Sequence, residues 1–439
     1  MGFRSLVKSH IFRRDTHTET FHAPIWKIPS ELMLLIVQKL CLDSLRSKTT
    51  FANGQPIPFP LLLSAVCSSW RHIMLDNSTL WSIISVAFTK TGKKPNGRAI
   101  HIFLERSKAA PLTVLLQVPS SLSSVSRKTI RNRAFQALLH EAPRWRILHL
   151  TGDFQILRID RPMRMVESLP KLEVLTLENR EACETLSKFQ VVPMPSLYHA
   201  IIDTPRAPIN PQSIPWNQIT ILRLRGCHNV LSLIQLCPKL TQLSFTLDSE
   251  LGRALSQYPV LAFRHNHVKS LSLWLVQDPD MPRVLKKALD VLDFPSLDTL
   301  IVQCYERPPV PRCVTALLIV DKFIQRSSFT LTEFGIHDIY IFHNLSLLFF
   351  FLAILDHNPS ITRLVIFDPS RSSKAQDVVD LLRPKLPRAK LLPKLQAVEF
   401  WTWKKDCDEL QMELIGFPPL VLVNESQILV PQLQIEELD

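Results

Sequence analysis

Apolar residues near the N-terminus recur at helical spacing in two places. After Pro29 an apolar side chain returns every four residues, which predicts a helix whose stripe is Leu32, Ile36 and Leu40. Further on, three- and four-residue steps predict a second helix that runs into a basic turn at Arg71 and His72; its apolar positions are Leu62, Leu63, Val66 and Trp70. Residues 24–82 have too little core to bury both stripes alone. We therefore expect this small all-α module to pack against the rest of the chain or against a partner.

Beyond Trp81 the sequence repeats itself. Seven segments start with a proline followed at offsets two, five and seven by apolar residues, and three more keep the apolar pattern without the proline. The first apolar positions of these ten segments are Trp145, Leu172, Leu197, Ile219, Leu240, Val268, Leu297, Leu331, Ile361 and Leu395. Spacings of 21 to 34 residues around an L-x-x-L-x-L template are typical of leucine-rich repeats, each a short strand with a helical return. The fold class expected is α/β, with the helical module followed by a curved solenoid.

The repeat pattern also divides the chain. Two further strands are predicted at 83–88 and 112–118 with a helix at 100–108 between them, so the solenoid of about 10–12 repeats covers residues 83–403. The apolar run 345–355 is a core-facing return helix, because it is well short of the ~20 residues that a membrane span needs. Residues 1–23 are predicted to be a basic tail, and residues 404–439 lose the register and are predicted to form a cap or tail.

Composition removes several functional classes. Nine glycines, all scattered, leave no glycine-rich loop for a nucleotide phosphate, and no motif of a hydrolase or zinc protease occurs. His265 and His267 have no further ligand at metal-binding spacing. Eight cysteines without clustering, in a chain this long, indicate buried reduced thiols of an intracellular protein. The sequence therefore predicts no enzyme, no metal and no cofactor.

The net charge of +12 leaves one alternative open. Its main concentrations lie at 93–98 and at 127–133, where a solvated helix face is the plainer interpretation because aromatic residues do not alternate with the basic ones. The alternative is a non-catalytic scaffold whose basic surface binds nucleic acid or acidic partners. Of those partners, nucleic acid is the less expected.

Residues 24–82 carry a resemblance to a known family. Ile28-Pro29 with Glu31-Leu32, then Val66-Cys67 with Trp70-Arg71, and finally Leu80-Trp81 resemble an F-box. Together with the repeats, the chain is similar to F-box and leucine-rich-repeat substrate receptors of SCF ubiquitin ligases. The stretch from Cys41 to Pro58 departs from the family, in which only a short connection stands at this place.

The resemblance implies a function and two binding surfaces. The F-box would dock on a Skp-type adaptor and, through it, on a cullin scaffold, in the cytoplasm or nucleus and without a membrane. The residues that match the adaptor-binding positions of the family are Ile28, Pro29, Leu32, Ile36, Leu40, Leu63, Val66 and Trp70. The alternative for these residues is that they pack the module onto the first repeats and contact no partner.

The second surface is predicted from strand geometry. Residues that alternate with the buried leucines point out of the sheet, and in a solenoid this face receives the target, here an unknown protein. Arg, Trp and Phe at such positions are types enriched in binding hot spots. The substrate-binding residues expected are Arg223, Arg225, Trp274, His337, Arg363, Phe367 and Trp401, with the apolar anchor in the C-terminal third. His149, Glu178 and Asp203 are expected on the same face.

Overall fold

A single long parallel β-sheet forms the body of the protein in the computed structural model. The structure describes residues 28–46, 59–87, 97–118, 133–152, 168–179, 182, 192–203, 214–227, 229–257, 263–276, 278–304, 310–337, 339, 345–368 and 394–402. The predicted tail 1–23, the cap 404–439 and residues 47–58 of the departure from the family lie outside these residues.

A strand lies in each of the ten predicted repeat segments, and the two further predicted strands are confirmed as well. The strands are β1 (Ile83–Ala87), β2 (Leu112–Val118), β3 (Trp145–Gly152), β4 (Val174–Glu178), β5 (His199–Asp203), β6 (Ile221–Arg225), β7 (Gln242–Leu247), β8 (Phe263–Arg264), β9 (Ser270–Leu275), β10 (Leu292–Asp293), β11 (Thr299–Cys304), β12 (Glu333–His337), β13 (Arg363–Asp368) and β14 (Ala397–Thr402). Twelve of them pair in chain order, leaving out β8 and β10, which form a two-stranded parallel sheet of their own.

Helices connect many of these strands. They are α1 (Ser30–Arg46), α2 (Phe59–Leu63), α3 (Ser68–Asp76), α4 (Gly97–Arg106), α5 (Arg133–His140), α6 (Val230–Gln235), α7 (Ser249–Gln257), α8 (Met281–Val291), α9 (Val310–Arg326) and α10 (Leu345–His357). The coarse prediction of an α/β strand-and-helix array is confirmed, since parallel strands in sequential order require a crossover between each pair.

The repeat leucines explain the regularity of the sheet. The apolar residue at offset five of each repeat stacks on the equivalent residue of the next repeat. Leu222, Leu243, Leu271 and Leu300 do so in register, and all four are at most 1% exposed. Because side chains alternate across a strand, the residues between the leucines face away from this core. We call the side of the sheet that they form the open face.

The three N-terminal helices do not have a separate core. Met33, Val37 and Met74 belong to the same cluster of buried residues as the leucines of the strands. Trp81 lies at the junction: it is 0% exposed, its indole N–H donates to the carbonyl of Met74 at 2.6 Å, and the ring of Phe103 meets it edge-on at 5.2 Å. The helices and the array are therefore one continuous structure, and the prediction of a distinct all-α module is not supported.

The second predicted helix is two helices, so the prediction of one continuous helix with a basic turn is wrong. The amides of Ala65 and Val66 donate to carbonyls three residues earlier, as in a 3₁₀ turn, and these bonds close α2. The Ser64 hydroxyl donates to the carbonyl of Leu61 at 2.8 Å. Cys67 then takes an extended conformation, and its sulfur accepts the amide N–H of Trp70 to cap α3. The break turns Arg71 and His72 into interior residues of α3.

The apolar run 345–355 is confirmed as a return helix, α10, whose buried side includes Phe351, Ile354 and Leu355. Leu345 and Phe349, one helical turn apart, are not part of this side and are 85% and 67% exposed. Among the described residues, every helix falls below the length and apolarity that a bilayer crossing requires.

Candidate functional site

Helix α1 carries both buried and exposed apolar side chains. Met33 and Val37 point into the shared core at 4% and 0% exposure, and they hold the helix against the 3₁₀ turn Ser78–Trp81. The helix also presents what we call the outer α1 face, the exposed apolar residues Leu32, Leu35, Ile36 and Leu40 at 52%, 60%, 46% and 41% exposure. The predicted stripe is therefore the side of the helix that faces solvent.

The other predicted adaptor-binding residues divide between surface and core. Pro29 is exposed, and Val66 is 61% exposed. Ile28, Leu63 and Trp70 are half-buried, and they pack against the core cluster. Trp70 thus helps to anchor α3 on the protein.

Two further exposed apolar residues of these helices, Leu35 and Leu62, were not among the predicted adaptor-binding residues. Leu35 extends the outer α1 face. Leu62 on α2 is 45% exposed and directly precedes the predicted Leu63. Leu35 was detectable, because it stands three residues after Leu32 and so lies next to it on the helix surface. The exposure of Leu62 depends on where α2 ends, and the spacing of apolar residues did not show where that is.

The open face is the second candidate surface, and its residues form rows across the strands. One row, which we call the middle row, runs in register through His149, Thr176, Ile201, Arg223, Ser244, Ser272 and Ile301. The neighbouring outer row contains Thr151, Glu178, Asp203, Arg225, Thr246, Trp274, Gln303 and His337, one on each strand of the long sheet from β3 to β12. The predicted substrate-binding residues of β6 and β9 are thereby brought together.

Arg225 is held from two sides in the outer row. Its guanidinium lies 4.4 Å from the centre of the Trp274 indole, and its Nη1 is 3.8 Å from Oδ2 of Asp203. Trp274 comes from β9, two strands away, so its ring leans back over β7, where its N–H donates to the Ser244 hydroxyl at 2.7 Å. Arg225 and Trp274 thus form an ordered wall beside the middle row.

Arg223 differs from the other arginines of this face. It is exposed, and it has no hydrogen bond, ion pair or ring contact with any residue that the structure describes. Burial of its strand in the middle of the sheet, and secondly the charge of Arg225, lower the pKa of Arg223 from its ordinary value. The side chain itself is open to solvent, so a ligand can reach its charge.

His199 stands diagonally from Arg223 on β5. Burial, and secondly the charge of Arg223, lower its pKa to about 4, so the ring is neutral at physiological pH. Its Nε2 is buried and has no hydrogen-bond partner among the described residues. The positive charge at this point of the open face therefore comes from the arginines.

The other predicted substrate-binding residues of the open face either have partners within the protein or have side chains that the structure does not describe. Arg363 makes two 3.0 Å contacts with the carboxylate of Glu333, and burial lowers the pKa of His337 to about 4. For Phe367 and Trp401, which pair in register between β13 and β14, the structure describes the backbone only. An apolar anchor in this third stays a prediction.

The N-terminal part of the open face is internally paired. Oε1 of Glu178 is 3.0 Å from Nε2 of His149, and its other oxygen accepts the hydroxyl of Thr151 at 3.0 Å. Within the part of the chain that the structure describes, three metal-ligating groups nowhere come together. His265 instead places its Nε2 3.0 Å from the carbonyl of Cys237 in the core.

Comparison with known proteins adds little to this description. No protein-family model matches the sequence, and no curated protein matches it. The solved structure of a Bacteroides fragilis protein aligns with 72% of this chain and 73% of that chain, at 12% sequence identity and a TM-score of 0.32. A likeness at this level carries no argument, so the functional proposal below depends on the residues described above.

Proposed function

We propose that this protein is the substrate-recognition subunit of an SCF-type ubiquitin ligase. In this proposal the helices α1 to α3 are an F-box that docks on a Skp-type adaptor, and the adaptor joins the chain to a cullin scaffold. The open face of the strand array binds the target protein. The chain itself carries out no catalytic step.

The observation that carries the proposal is the outer α1 face. Four large apolar side chains of one helix are 41–60% exposed, although Met33 and Val37 of the same helix are already buried in the core. Leu62 and Val66 add exposed apolar area on the following segment. Covering the exposed half of six such side chains is worth roughly 5–9 kcal/mol before the costs of association, by the usual value for a buried aliphatic side chain. A protein partner with an apolar groove supplies that cover, and three of the four α1 residues are those that the F-box resemblance implies.

The resemblance supports the assignment of this partner to the Skp type. The motif residues that resemble an F-box also include Trp81, which lies at the junction of helices and sheet. Such a junction suits a receptor, because it fixes the adaptor-binding helices to the surface that receives the target.

The experiment is co-purification of the full chain with a Skp-type adaptor from a shared expression host. We expect the wild type to retain the adaptor and the Leu32→Glu, Ile36→Glu double variant to lose it, since two buried carboxylates would be left without partners. Leu345→Glu, together with Phe349→Glu, is the matched control, because it introduces the same charges on the exposed start of α10. Failure of the wild type to bind the adaptor would remove the proposal.

A further inference from the structure

We propose that Arg223, Ser244 and Ser272 form a binding site for an acidic side chain, a carboxylate or a phosphate, of an extended polypeptide. The inference rests on the proposed function for the view that the open face receives a target protein. It deepens that function, because it names the chemical class of group that the target presents and the place where it binds.

The first argument is a row of unused hydrogen-bond donors. Arg223 pairs in register with Ser244, and Ser244 with Ser272, so the three side chains lie side by side on β6, β7 and β9. Arg223 makes no hydrogen bond, ion pair or ring contact with a described residue, and the Ser272 hydroxyl makes no hydrogen bond with any of them either. The Ser244 oxygen accepts the indole N–H of Trp274, which leaves its own hydrogen free to donate. Guanidinium and hydroxyl donors without acceptors are the complement of an anion.

The spacing suits one anionic group with its peptide. Neighbouring strands are about 4.8 Å apart, so the row from Arg223 to Ser272 is roughly 10 Å long. A carboxylate or phosphate spans two adjacent donors of such a row, and the remaining serine is left for the peptide that carries it. The wall formed by Arg225 and Trp274 bounds the site along the outer row and presents one more positive charge.

The local charges favour an anion at this place. The in-register neighbours of Arg223 on the two adjacent strands, Ile201 and Ser244, are uncharged. The nearest carboxylate in the outer row, Asp203, is engaged with Arg225. The lowered pKa of Arg223 has the same meaning, because burial and Arg225 penalise its charged form and a bound anion would relieve that penalty.

A polypeptide fits these charges better than a nucleic acid does. Nucleic-acid binding proteins neutralise several successive phosphates, often six to ten. Here the outer row places Glu178 and Asp203 directly before Arg225, and further along the sheet Glu333 engages Arg363. A phosphate backbone laid across these strands would meet carboxylates on both sides of Arg223, whereas a single acidic side chain meets only the donors.

The test uses the full chain on an array of random dodecapeptides that includes phosphoserine and unmodified members. We expect the bound peptides to be enriched in glutamate, aspartate or phosphoserine, and the two kinds of acid separate the carboxylate from the phosphate. The best peptide is then titrated by fluorescence anisotropy. Arg223→Gln should weaken it about tenfold to a hundredfold, the loss expected for a hydrogen bond to a charged group, and Ser272→Ala about threefold to tenfold.

Arg283→Gln is the control of equal charge, because Arg283 lies on α8 with its side chain 85% exposed. It should bind the peptide within about twofold of the wild type, as expected for a screened charge away from the site. Peptide binding that is not enriched in acids, or equal losses in Arg223→Gln and Arg283→Gln, would overturn the inference. So would Arg223-dependent binding of a twenty-nucleotide RNA without any acidic peptide.

The outcome is separable from that of the proposed function. Adaptor co-purification without selection of acidic peptides would refute the site and leave the receptor proposal standing. Selection of acidic peptides through Arg223 without adaptor binding would support the site and refute the receptor proposal.

Discussion

The guanidinium of Arg225 lies over the indole of Trp274, although their strands are separated by a third. The distance from the guanidinium carbon to the ring centre is 4.4 Å, and the indole is fixed from its other side by its hydrogen bond to Ser244. The arrangement orders two side chains that would otherwise be mobile on an open sheet. It also leaves Arg223, two residues earlier on the same strand, without a hydrogen bond, ion pair or ring contact among the described residues.

The Arg225–Trp274 contact predicts a measurable coupling energy. Arg225→Gln and Trp274→Ala should each reduce stability, and the double variant should lose about 0.5–1 kcal/mol less than the sum, the value for a half-exposed cation–π pair. Urea unfolding of the four proteins gives the cycle. Strict additivity would mean that the contact contributes nothing. Trp274→Phe keeps a ring but removes the N–H, so the same cycle with Ser244→Ala isolates the hydrogen bond.

Two adjacent residues of α1 should respond in opposite ways to truncation. Met33→Ala removes a side chain that is 4% exposed and should lower the free energy of unfolding by about 2–4 kcal/mol. Leu32→Ala, at 52% exposure, should change it by about 0.5 kcal/mol or less. Urea unfolding measures both. A large loss for Leu32→Ala would mean that another part of the chain covers the outer α1 face, and the docking proposal would lose its basis.

The pH dependence of stability follows from His199 and His337. Burial lowers both pKa values from 6.5 to about 4 in the folded state. Above pH 6.5 both states are neutral and the histidines contribute nothing; as the pH falls from 6.5 to 4 the unfolded chain takes up the protons first. Stability is therefore lost across that window, by about 2 kcal/mol per histidine between pH 7.5 and 5.

His337→Gln isolates one share of this effect, because glutamine does not titrate. The difference in unfolding free energy between pH 7.5 and 5 should shrink by about 2 kcal/mol relative to the wild type, the amount given above for one histidine. Chemical unfolding at the two pH values measures it. An unchanged difference would show that the ring of His337 takes up a proton without penalty in the folded state.

Gly152 should not tolerate a side chain. It ends β3 with a φ of +99°, and a Cβ atom there would lie 1.6 Å from the carbonyl oxygen of Val118. Gly152→Ala should therefore cost at least about 2–3 kcal/mol, from strain together with displacement of β2. Gly226→Ala is the comparison: its φ of +63° implies about 1–2 kcal/mol for the backbone conformation alone. Equal losses in thermal or urea unfolding would contradict the clash.

The strands of the long sheet were predictable from the sequence, whereas the helix boundary at Cys67 and the two short strands were not. Leucines at a fixed offset must stack, so Leu222, Leu243 and Leu271 located β6, β7 and β9 correctly. The break at Cys67 was missed because the apolar spacing from Leu62 to Trp70 continues through it, and only hydrogen bonds of Ser64 and Cys67 end the helix. The short strands β8 and β10 have two residues each, too few for a period.

The individual roles of the arginines were also beyond the sequence. Arg223, Arg225 and Arg363 all occupy outward positions of their strands, and nothing in their local patterns shows which partner each one has. Their partners come from other strands: Asp203 and Trp274 for Arg225, and Glu333 for Arg363. Which guanidinium stays available is decided by cross-strand register, and that depends on the length of every intervening loop.

The core that runs without interruption from Met33 to Ile366 makes the molecule a spacer of fixed length. From β1, next to the N-terminal helices, to β6, which carries Arg223, there are five strand steps, or roughly 24 Å along the sheet. A protein bound on α1 and an acidic group bound at Arg223 are thus held at a set separation. Removing one strand-and-helix unit between them would shorten it by about 5 Å and turn one bound partner relative to the other, without altering either binding surface.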